Sequence, residues 1–145
     1  MTIAEVADAV ADTLADFPAQ EQFTVERAFR PVRERSELTG LTLTVVPRAI
    51  EREIEARGLL RTDFLIDVGL QKVLPEGSEE NRIASLVATA SAAALALLTR
   101  RPALAEGTVC VAADLDPLLD MEHLSSMRLF TSVIKARYRL LESTN

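Results

Sequence analysis

Phe64-Leu65-Ile66-Asp67-Val68-Gly69-Leu70-Gln71 sets Phe64, Ile66, Val68 and Leu70 against Leu65, Asp67, Gly69 and Gln71. Successive side chains of an extended chain point to opposite faces, so strict alternation of this length places one apolar row on one side of a strand. Gly69 marks a bulge or a close backbone approach within it. The stretch needs neighbouring strands for its backbone and a cover for its apolar row.

Both are legible nearby. From Glu21 onward the period is also two: Phe23, Val25, Arg27 and Phe29 alternate with Thr24, Glu26, Ala28 and Arg30. After Thr39-Gly40, Leu41, Leu43 and Val45 alternate with Thr42, Thr44 and Val46, and Pro47 closes a β-branched run. Residues 50–57 are ambiguous. A helix there would bury only Ile50 and Ile54, whereas a strand puts Glu51, Glu53 and Glu55 on one face, with Arg57-Gly58 as the turn back. The strand is the preferred reading because it completes a four-strand meander.

The cover comes from two helices. Ile3, Val6, Val10, Leu14 and Phe17 form one helical stripe, opened by the Thr2/Glu5 capping box and ended by Pro18. A second, longer helix starts after Pro75-Glu76-Gly77-Ser78. Glu79 and Glu80 lie at its positive end, Arg100 and Arg101 at its negative end, and Pro102 stops it. Ile83, Leu86, Val87, Ala90, Ala94, Leu97 and Leu98 share one face. A further strip, Ala84, Ala88, Ser91, Ala92 and Leu95, lies about 100–180° around the axis. A helix apolar over so wide an arc is either sandwiched in its own domain or meets a neighbouring subunit. That strip is the candidate interface.

Residues 108–113 read as a short buried strand, and Asp114-Leu115-Asp116-Pro117 breaks into a loop. A long strand over 127–141 follows, with Phe130, Ile134, Ala136, Tyr138 and Leu140 against Thr131, Val133, Lys135, Arg137 and Arg139. The expectation is one α+β domain over residues 1–145: a mainly antiparallel sheet with an N-terminal helix and one long helix packed on one face.

A chain of 145 residues and 15.9 kDa buries about 15,700 Å² on folding, enough for a core without staples. One cysteine, Cys110, allows no internal disulfide and suits a reducing compartment. The net charge of −6 provides no basic surface for gripping phosphate or anionic lipid. The longest apolar stretch, residues 92–98, falls short of the ~20 residues of a membrane span. The opening Met1-Thr2-Ile3-Ala4-Glu5 lacks the basic region of a signal or transit peptide. No membrane association and a cytoplasmic site of synthesis are therefore expected.

Catalytic motifs are missing: no G-x-S-x-G, no phosphate-cradling glycine loop, no H-E-x-x-H. Cys110 and the single histidine, His123, are one conceivable nucleophile–base pair, against the plainer reading of a buried structural cysteine. Asp114, Asp116, Asp120, Glu122 and His123 have the residue types of a divalent-cation site and would anchor a small metal-dependent enzyme. Their plainer reading is a solvated acidic loop, with Asp116-Pro117 setting a turn and Asp120 near a helix start. Glu51, Glu53 and Glu55 are either a like-charged strip facing a channel or basic partner, or an exposed edge guarded against aggregation. Neither a catalytic residue nor a cofactor is expected.

Three stretches carry a resemblance: Leu43-Thr44-Val45-Val46-Pro47; Ile66-Asp67-Val68-Gly69-Leu70-Gln71-Lys72; and His123-Leu124 followed by Arg128-Leu129-Phe130-Thr131-Ser132-Val133. With the order helix, strands, long helix, acidic loop, final strand, the chain resembles the tail terminator (tail-completion) proteins of long-tailed phages and prophages. Head-tail connectors and minor tail proteins are the neighbouring possibilities. The resemblance implies a homo-oligomeric ring, expected as a hexamer, on the head-proximal end of the virion tail. Such a ring is assembled in the bacterial host cytoplasm, stops the tail tube protein from polymerising and presents a surface to the connector. DNA would pass through without specific binding. A host-directed adaptor binding a protein through the long helix is a further alternative.

Overall fold

A computed structural model of the chain describes residues 1–19, 21–30, 32, 34, 38–75, 80–100 and 107–144. The turn and N-cap expected at 76–79 and the stop at Arg101-Pro102 lie outside the described residues. The elements are α1 (Ile3–Ala15), β1 (Phe23–Arg27), β2 (Leu41–Ala56), β3 (Leu59–Val73), α2 (Glu80–Thr99), β4 (Val109–Leu115), α3 (Met121–Met127) and β5 (Leu129–Ser143). They make an α+β fold on one five-stranded sheet of order β1-β2-β3-β5-β4.

The Phe64 row is the centre of that sheet. Phe64, Ile66, Val68 and Leu70 of β3 stand beside Tyr138, Ala136, Ile134 and Ser132 of β5, and beside Ile50, Pro47, Val45 and Leu43 of β2. The inward members of these rows meet Val6, Val10 and Leu14 of α1 and Leu86, Ala90 and Leu97 of α2 in one core. The capping box of α1 forms as read, Thr2 accepting from the Glu5 amide while the Glu5 carboxylate accepts from the Thr2 amide. The helix ends at Ala15, ahead of Pro18, and Phe17 packs its ring 5.0 Å from that of Phe23.

Several expectations are corrected. There is no four-strand meander: Pro47 does not close a strand, and residues 41–56 form one continuous strand that absorbs the proline at a register shift between Pro47 and Ala49. A proline has no amide to offer the ladder, so it is tolerated where the pairing is already broken. Gly69 sits in uninterrupted register with Thr44 and Val133, so the irregularities fall elsewhere. The first strand is shorter than its pattern. It ends at Arg27, pairs with β2 in parallel, and leaves Phe29 exposed. The 108–113 strand is an edge rather than a buried element, with Val109 and Val111 exposed. The helix start read at Asp120 opens a short helix, α3, over Met121–Met127, ahead of the last strand.

By length and composition α2 would pass as a membrane-crossing helix. In this fold its inner flank is embedded in the core, with Leu86, Ala90, Ala93 and Leu97 fully buried.

Candidate interaction surface

Of the α2 strip singled out above, Ala84, Ala88, Ser91 and Leu95 are exposed and Ala92 is half-buried against the core. Leu98, assigned above to the core face, is exposed as well. Among the described residues nothing covers Ala84, Ala88, Ser91 and Leu95, whereas Ala92 turns partly into the core. Ile83 and Val87 lie at the boundary, partly buried.

The sheet face opposite α1 and α2 is polar and charged, and register explains its organisation. Cross-strand rows run Thr42–Gln71–Thr131, Thr44–Gly69–Val133, Val46–Asp67–Lys135 and Glu51–Asp63–Arg139. Gln71, fully buried, donates from Nε2 to Thr131 Oγ1 at 3.4 Å, and that hydroxyl meets His123 Nδ1 at 2.8 Å. Asp67 is held by Arg48, whose Nε lies 2.8 Å from Oδ1.

Asp63 is the hub. Its side chain is almost wholly buried, and Arg139 grips it with two bonds, Nε–Oδ1 at 2.9 Å and Nη2–Oδ2 at 3.1 Å. Arg137 Nη1 adds a third at 2.7 Å. The Arg139 hydrogen bonds hold the Asp63 carboxyl below its usual range; burial opposes this, and Arg137 reinforces it. Arg137 and Arg139 are held more firmly protonated by Asp63 in return.

Glu51, Glu53 and Glu55 are all exposed and share this face, so their strand reading stands. They are not a bare like-charged strip, however. Glu51 accepts from Arg137 at 2.9 Å, Glu55 lies 2.9 Å from Arg61, and Glu53 also pairs with Arg61. The neutralising arginines come from β3 and β5, and only the sheet register brings them alongside.

The acidic loop does not converge. Asp114 is at the end of β4, Asp116 lies 3.6 Å from Lys135, and the Asp116-Pro117 peptide is cis. Asp120 caps α3 by accepting from the His123 amide at 3.0 Å, the helix-start role expected of it. Among the described residues no three His, Cys, Asp or Glu side chains gather in a way that could hold a metal. Cys110 is half-buried beside Tyr138, not next to His123, and its thiol donates to the Ala112 carbonyl at 3.4 Å. Burial pushes the Cys110 thiol up. Burial likewise raises the fully buried Tyr138, with Cys110 adding to the effect.

No protein-family model matches the chain, and no curated protein is significantly similar to it.

Proposed function

We propose that this chain is a phage structural protein, the tail terminator: a closed ring of identical copies on the head-proximal end of the tail tube. The observation that carries the reading is the exposed flank of small and apolar side chains on α2, Ala84, Ala88, Ser91 and Leu95, on a helix whose opposite flank is already in the core. A flank of small and apolar side chains left uncovered by the domain's own core is a surface on which another protein can dock. The resemblance in the strand and C-terminal segments suggests the setting.

Identical subunits joined head-to-tail either grow without limit or close, depending on the rotation between them. A ring that closes on the end of a tube offers no site for the next tube subunit. Its far face is then free to receive the connector, and DNA passes through the centre. This role needs no catalytic group, no cofactor and no membrane. The virion tail is its place of action and the bacterial cytoplasm its place of assembly.

The test is capping. Full-length protein added to polymerising tube subunits of the same phage should halt elongation and appear as extra density at one tube end only. A head-tail connector would leave tube length unchanged, and so would a protein outside the tail; either result would overturn the terminator reading.

A further inference from the structure

The sheet ends on two edges that no described strand occupies. On one side is β4, whose Val109 and Val111 are 53% and 40% exposed and which carries no charge before Asp114. On the other, β1 pairs only with residues 41–45 of β2, so among the described residues no strand pairs with the rest of that edge, on which Ile54 is 64% exposed. Open edges are ordinarily guarded by lysine, proline or a bulge that turns them away. Residues 109–113 have only a bulge at Val111, whereas the free part of β2 carries Pro47, two register shifts and charged side chains, so β4 is the less guarded of the two edges.

We infer that β4 of one copy adds to the open part of β2 in the next, so that the copies close by continuing one another's sheets; the inference rests on the ring reading above. Strand direction fits. The steps β2–β3, β3–β5 and β5–β4 are all antiparallel, so β4 runs opposite to β2. A second copy in the same orientation therefore presents its β2 antiparallel to β4, and the same operation repeats for each copy.

Height along the strands fits too. Val109 is level with Glu51 through Arg139 and Asp63, and Leu115 is level with Val45 through Ile134 and Val68. Because β1 occupies Val45, the incoming β4 has to slide toward the hairpin tip. A constant slide per copy is the stagger that tilts strands and lets a sheet close on itself.

Charge is compatible with the match: Arg61 and Arg137 already pair with Glu51, Glu53 and Glu55 within one copy, so joining the edges exchanges ion pairs rather than adding them. Lys135, Arg137 and Arg139 lie on β5, one strand inside the β4 edge, and Glu51, Glu53 and Glu55 line the β2 edge. Arg137 already reaches Glu51 of its own chain across the full width of β3. Crossing β4 is the same distance, since neighbouring strands are about 4.8 Å apart. Opposite Arg137 stands Ala112, too short to block the path.

Cysteine pairing tests this. In a Cys110→Ser chain, Val111→Cys is combined in turn with Ile50→Cys, Arg52→Cys or Ile54→Cys and oxidised, since a disulfide forms only where the Cα atoms approach within about 7 Å. At least one double variant should give a covalent ladder ending at a fixed size, while each single variant stays uncrosslinked. A Val111→Cys dimer would mean two β4 edges meeting face to face and would overturn the inference. If the parent forms rings by light scattering and no double variant crosslinks, the edges are not the contact, although the ring stands. A parent that is monomeric even with tube subunits removes both. Val111→Lys and Ile54→Lys give a second readout. Both change exposed side chains, so folding should be kept and assembly lost; normal assembly of both would overturn the pairing.

Discussion

Arg137 Nη1 stands 2.7 Å from Asp63 Oδ2 and 2.9 Å from Glu51 Oε1, so one guanidinium ties β5 to β3 and, across it, to β2. The long β2–β3–β5 blade is thus held on its polar face by charge, as its other face is held by the core. Arg139 completes the arrangement by gripping Asp63 from the same strand.

Replacing Asp63 should show this hub in a pH series. Its folded-state carboxyl is depressed by Arg139 first and by Arg137 as well. The linked stability is therefore fully present above the unfolded pKa of about 3.9 and is lost as pH falls through the folded value. Urea denaturation of Asp63→Asn should lack that acid-side loss. At neutral pH, Asp63→Ala should cost about 1–3 kcal/mol, less than a fully buried pair because the arginines are one-third exposed. An unchanged acid limb in the Asn variant would contradict the assignment.

The two flanks of α2 should respond very differently to charge. Ala88→Glu changes an exposed residue and should shift stability by no more than about 0.5 kcal/mol. Ala90→Glu buries a carboxylate in the core and should cost several kcal/mol or prevent folding. Thermal melts of the two variants check this; equal effects would mean that the helix is rotated from the orientation described.

Reversing Glu51, Glu53 and Glu55 to lysine places new cations against Arg61 and Arg137. Melting temperature should fall in the order parent, triple Gln, triple Lys, most clearly at low salt where screening is weak. The Gln variant is the cleaner probe of a channel wall. If this strip faces the passing DNA, assembled particles carrying the Gln variant eject more slowly at low salt than the parent. Equal ejection at every ionic strength would place the strip away from the channel.

Excess chelator should leave both melting temperature and assembly unchanged, because Asp114, Asp116, Asp120 and Glu122 are spread over a strand end, a turn, a helix cap and a helix. A ligand stabilises only by binding the folded state in preference to the unfolded one. A saturable rise in melting temperature with magnesium or manganese would contradict this and revive the metal-dependent enzyme.

Local periodicity made much of this architecture legible. The Phe64 and Phe130 rows, the Thr2/Glu5 cap and the Ala88 flank all follow from spacing within one element. What failed needed information from another element. Pro47 reads as a strand end unless a bulge beside it is known. The Val109 run looks the same at the centre of a sheet as at its edge. α3 has no buried residue and no apolar stripe, so only its start at Asp120 was legible. The glutamate strip was visible, but Arg61 and Arg137 become its partners only through the β2–β3–β5 register.

Mass and shape of the full-length protein in solution test the ring most directly, by light scattering with negative-stain microscopy, alone and with tube subunits present. The account predicts a discrete annular particle whose mass is a fixed multiple of 15.9 kDa and does not grow as concentration rises. A monomer under every condition, or filaments that lengthen without limit, would contradict it.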